Sequence, residues 1–169
     1  MDAHDPAAVL ELYSQLTETF AERADPIPHG SWPARFHFVL AKSLETLEPH
    51  RDTLAAVLPV LLADREAGLL SHAAIGPRDR VRERFVAAVA ASDHPPSDAE
   101  ALGRLLYLLQ LGVLMWWVLD RSEGQHATHE LVDLLGEWGG TMSMALWLPG
   151  AAGVIRKLDD IATRALFAL

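Results

Sequence analysis

Cysteine is absent from the 169-residue chain. Its absence excludes disulfides, thiolate nucleophiles and thiolate metal sites, and it suits the cytoplasmic location expected here. Basic residues are also few: 14 Lys and Arg stand against 23 Asp and Glu, for a net charge of -9 at pH 7. A protein that grips DNA through its phosphates normally carries a basic footprint. The chain as a whole carries none, so no direct DNA contact is expected. The densest basic run, RDRVRER (Arg78 to Arg84), has Asp79 and Glu83 among its arginines. It reads as a solvated helix face whose charges pair at i,i+4. The opening MDAHDPAAVLELY has neither a basic nor an apolar leader region, so no signal peptide is expected.

A long apolar run is missing too. Leu105 to Leu119 covers fifteen positions, is interrupted by Gln110 and is bracketed by Arg104 and Asp120. A spanning helix needs about 20 apolar residues. The stretch therefore reads as the central helix of a bundle, and no membrane span is expected. There is no repeat, phosphate-cradling glycine loop or nucleophile elbow. With no acid/base pair or nucleophile placed, neither enzymatic activity nor a cofactor is expected.

What is present is helical periodicity, with no period-two strand of useful length. Seven helices are predicted, over about 6–24, 32–47, 50–64, 77–91, 97–120, 127–147 and 151–168 of a single all-α domain. Asp5 is a plausible cap for the first, with Pro6 at its opening position. Val9, Leu12, Leu16 and Phe20 form its buried stripe. Ser31 is expected to cap the second, and Ser97 or Asp98 the fifth. Pro59 should kink or end the third. In the last two helices Leu131, Leu135, Trp138, Met142 and Ala145, and then Val154, Leu158, Ile161 and Ala165, step by threes and fours. These are near-heptad seams, as in two helices packed at a shallow angle. Gly139 and Gly140 either weaken the first of the pair or admit a close neighbour.

Two clusters could carry a site. In GQHATHE, His126, His129 and Glu130 share helical register, but they open a surface helix and no metal site is assigned. The aromatic residues are more suggestive. Trp32, Phe36 and His37 lie early in the second helix. Tyr107, Gln110 and Leu114 share a face of the fifth, with Met115 and Trp116 next. A buried glutamine costs desolvation unless it is paired. Gln110 therefore either bonds a neighbouring helix backbone or a partner subunit, or faces a cavity and orients a ligand. These eight residues are the pocket candidates.

MWWVLDRSEGQHATHELVDLL resembles the segment joining the long core helix to the first dimer helix in TetR-family regulators. DPAAVLELYSQLTETF resembles the first helix after that family's DNA-binding head. SWPARFHFVLAKSLETLEPHRDTLAAVLP is similar to the next helix pair, and ALWLPGAAGVIRKLDDIATRAL to the closing dimer helix. No helix-turn-helix precedes Asp5, so the chain resembles the ligand-binding and dimerisation domain. The resemblance implies a homodimer whose last two helices build a four-helix interface, with Leu131, Leu135, Trp138, Met142, Leu158, Ile161 and Ala165 as its seam. It also implies a small apolar molecule or lipid in the core. The alternatives are an isoprenoid carrier like the headless TetR-like lipid-binding proteins of ubiquinone biosynthesis, or a dimerisation partner that blocks a full-length relative.

Overall fold

A computed structural model describes residues 6–63, 68–146 and 148–167. Among the described residues the chain is all-α, with seven α-helices and no strand. They are α1 (Pro6–Arg23), α2 (Trp32–Leu47), α3 (Arg51–Ala63), α4 (Ile75–Ala90), α5 (Ala99–Leu119), α6 (His126–Ala145) and α7 (Ala151–Leu166). Single 3-10 turns lead into α3, α4 and α6. The cap expected at Asp5 and the third-helix end expected at Asp64 lie outside the described residues.

Pro59 does not end the third helix, and α4 begins earlier than expected. α3 runs on through Pro59 to Ala63. The bond that proline cannot make would go to the Ala55 carbonyl, and Ala55 is exposed, so water can serve it. α4 starts at Ile75, because the 3-10 turn His72–Ala74 feeds directly into it. Ser31 and Asp98 do stand at the N-caps of α2 and α5, yet neither side chain makes a capping bond. Asp98 turns instead to Arg156 of α7, at 2.8 Å.

The core forms around Phe85 of α4, which is fully buried. The rings of Phe36, Phe20 and Tyr107 surround it at 6.0, 6.4 and 6.4 Å, within the range of favourable aromatic pairing. α4 and α5 approach so closely at Gly103 that an added Cβ would lie 2.5 Å from the Val86 Cα. Buried Arg35 of α2 clamps this centre. Its guanidinium donates to the Ala87 and Ala88 carbonyls at the end of α4 and to Ile27 and Pro28 in the loop before α2. A cation there meets the negative end of the α4 dipole, which favours the placement.

α5 runs through the middle, against α3, α4 and α7. Among the described residues it is the one helix long and apolar enough to cross a membrane by length and composition alone. Here its apolar faces make the core, with Leu102, Leu106, Val113 and Trp117 buried.

The arginine run is not a solvated face. Arg78 is buried, donates to the Leu69 and Ser71 carbonyls and lies 4.8 Å from the centre of the Phe167 ring. Arg80 reaches Thr17 and Glu18, and Arg84 reaches Asp25, so these two tie α4 to α1 and the turn that follows it. Only Arg82 pairs within the run, with Asp79 at i,i+3.

α6 packs on α2 and α7 on α5, rather than on each other. The seam of α7 faces outward: Val154, Leu158 and Ile161 are exposed, and only Ile155 is buried. On α6 the expected seam divides. Leu135 and Met142 pack against the core and Leu131 is half-buried, whereas Trp138 is 58% exposed.

Candidate functional site

α1, α2, α3, α4 and α5 enclose a cavity of about 70 Å³. α1 supplies the stripe Val9, Leu12, Leu16 and Phe20 together with Tyr13 and Thr17. α3 supplies Leu54, Val57, Leu58 and Leu61, and α5 supplies Tyr107, Gln110, Leu111, Leu114 and Trp117. Ser43 and Leu47 of α2 and Val81 of α4 complete much of the wall. No charged side chain stands among these lining residues.

The cavity's polar groups fall into two kinds. Thr17 and Ser43 donate their hydroxyls to carbonyls of their own helices, Ser14 and Leu40, both at 2.8 Å. Tyr107 and Gln110 are 1% and 3% exposed, and Gln110 Oε1 has no hydrogen-bond partner among the described residues; the Tyr107 hydroxyl makes no bond of good geometry either, although the Tyr13 phenol lies beside it. A buried polar atom left open costs roughly 1–3 kcal/mol. Burial raises the pKa of Tyr107 above the ordinary tyrosine value. It does the same to neighbouring Tyr13, where the adjacent phenol adds to the effect. Both phenols are therefore neutral and able to donate at any physiological pH.

The α3 wall is held at one end by Arg51. Its guanidinium donates to carbonyls at the end of α5, Trp117 at 3.1 Å and the C-cap residue Asp120 at 2.7 Å. The same group lies 5.7 Å from the Trp117 ring centre, and the Trp117 indole donates to Glu48 at 3.2 Å. The Asp120 carboxylate in turn accepts from the amides and hydroxyls of Ser122 and Thr128. It thereby caps α6.

Of the eight pocket candidates, the fold brings Tyr107, Gln110 and Leu114 to the cavity. Trp32 and Phe36 are buried in the core beyond it. His37 lies on the other side of α2, under Gly136 of α6, with its Nε2 3.9 Å from Asp133. Met115 packs against the buried group Leu58, Leu69, Leu114, Trp117 and Val118, and Trp116 is 52% exposed. Sequence reasoning missed the other lining residues, among them Tyr13 and Trp117. Trp117 continues the series 107, 110, 114 by three, which is the signal that separates it from Trp116. Tyr13 borders the α1 stripe as its one residue with an aromatic body and a polar tip.

In GQHATHE, His126 faces Glu130 at 3.3 Å while His129 is exposed. Among the described residues no three His, Asp or Glu side chains converge as a metal site.

The chain matches no family model and no curated protein.

Proposed function

We propose that this chain is a ligand-sensing domain of the TetR regulatory type. It encloses a small, mainly apolar molecule between α1, α3 and α5, and it pairs with a second copy through α6 and α7. The observation that carries the reading is the cavity itself, with an apolar wall and two unpaired polar groups on one face of its central helix. This composition is that of a small-molecule site. At about 70 Å³ the space is far below the roughly 300–1,000 Å³ of a drug-sized pocket. A guest larger than a few atoms must displace side chains or the α3 wall, and that displacement is what a sensor needs.

Pairing is supported by the outward apolar faces. Leu134, Trp138 and Met144 of α6, and Val154, Leu158 and Ile161 of α7, are all exposed. Their outer flanks carry opposite charges at heptad spacing, Glu130 and Glu137 on α6 against Lys157 and Arg164 on α7. A two-fold partner that sets α6 against α7 brings the two rows together.

The test is native mass spectrometry with titration of an apolar probe such as p-cresol. One saturable guest per chain, carried by a dimer, is expected. Leu114→Trp, which fills the cavity, should abolish guest binding and leave the dimer intact. Binding that survives this substitution places the guest elsewhere and overturns the reading.

A further inference from the structure

Resting on that cavity as the binding site, we infer that it selects a neutral molecule whose apolar body carries a hydroxyl group. The hydroxyl would be held between Tyr107 and Gln110. The two residues stand at i and i+3 on α5, where side chains share a face, and both border the cavity.

The open groups are complementary. The Tyr107 hydroxyl can donate, and Gln110 Oε1 can only accept. A guest hydroxyl satisfies both at once, accepting from the phenol and donating to the amide oxygen. With the amide oxygen turned to the cavity, a carbonyl guest, which only accepts, leaves Gln110 Oε1 open. A hydrocarbon guest leaves both open. Thr17 and Ser43 do not compete, because their protons are committed to backbone carbonyls, and the neighbouring Tyr13 phenol acts on Tyr107 as a donor, which leaves the Tyr107 proton for the guest.

Charge is selected against by the lining. With no charged side chain among the described residues that border the space, a carboxylate or ammonium would find no counter-charge there for the hydration it gives up. Size is bounded as well. An apolar void of about 150 Å³ admits benzene, and the cavity is about half of that. A single ring therefore fits after modest rearrangement of the leucines around it. One or two waters can fill the same space and bond the same two groups. A guest hydroxyl replaces such a water bond for bond, whereas a methyl group at that position does not.

The experiment is calorimetric titration of the full chain with three probes of nearly one shape: p-cresol, p-xylene and p-toluate. p-Cresol should bind at least about tenfold more tightly than either of the others. Tyr107→Phe and Gln110→Leu should each reduce the preference for p-cresol over p-xylene while p-xylene still binds, which shows the site to be folded. If one variant fails to fold, the other carries the test. Equal affinity for p-cresol and p-xylene in the unmodified chain overturns the selection and leaves the cavity as a binding site. Tighter binding of p-toluate overturns it in favour of an anion site. If none of the three binds, the reading of the cavity falls and the selection falls with it.

Discussion

Arg104 of α5 holds Asp159 of α7 in a forked grip, with Nε 3.0 Å and Nη2 2.6 Å from the two carboxylate oxygens. The pair matters because α7 offers the core little else. Ile155 is its only buried residue among those described, and its apolar seam faces outward. Bidentate arginine–carboxylate geometry is the stronger kind of ion pair. The Arg104 side chain is 36% exposed, however, so solvent screens part of the gain. Asp159→Asn is expected to cost about 1 kcal/mol in urea unfolding at low salt. The loss should shrink in 1 M salt. A loss that is equal at both salt concentrations would exclude the ion pair as its origin.

Asp120 should make stability fall in acid. Hydrogen bonds from the Thr128 and Ser122 hydroxyls, and from their amides, hold its carboxyl well below the usual carboxylate range. The folded value thus lies under the unfolded one, about 3.9. The contribution is complete above the unfolded value and is lost as pH falls towards the folded one. Urea midpoints of the wild type and Asp120→Ala should differ most near pH 6 and converge as pH drops from about 5 towards 2. Parallel curves would show that the carboxylate does not contribute in this way.

Adjacent glycines in α6 should respond in opposite directions. An alanine Cβ at Gly139 would stand 2.5 Å from the Pro33 Cβ of α2, where a rigid ring cannot yield. At Gly140 it would meet nothing within 4 Å. Gly140→Ala should gain up to about 1 kcal/mol from helix propensity. Gly139→Ala should lose about 1–3 kcal/mol through overpacking. Thermal melts of the two single variants decide the matter. Matching shifts would mean that α6 does not seat on Pro33.

The proposed pairing of α6 with α7 of a second copy predicts a charge-swap cycle. Reversing Glu130 and Glu137 to Lys should weaken self-association about tenfold or more, since each exposed pair is worth a few tenths of a kcal/mol to about 1 kcal/mol and occurs twice. Reversing Lys157 and Arg164 to Glu should do the same. Combining both reversals should restore much of the loss. Sedimentation velocity reads all four proteins. Additive weakening in the combined variant would rule out this arrangement.

Helix number and most boundaries were legible, because the apolar spacing of each segment is set by the face it buries. What escaped depended on neighbours distant in sequence. Pro59 reads as a break until the exposure of Ala55 is known. Arg78 reads as solvated until the Leu69 and Ser71 carbonyls are seen beside it. One wall of the cavity was visible in part on α5, where Tyr107, Gln110 and Leu114 lie on one turn series. Its other walls, on α1 and α3, read only as ordinary leucine stripes. Trp32 and Phe36 show the same ambiguity from the other side: aromatic residues at helical spacing look alike whether they fill a core or line a space.

The junction after α5 has a mechanical consequence. Arg51 secures carbonyls at the end of α5, and the Asp120 side chain secures the first turn of α6, within a few residues of chain. Side chains, and not the length of a slack connection, therefore set the angle between the two helices. α5 and α6 amount to one bent rod with its elbow beside Trp117 at the cavity wall. α6 has 20 residues and is about 30 Å long. On that lever a tilt of about 4° at the elbow moves the far end of α6 by about 2 Å.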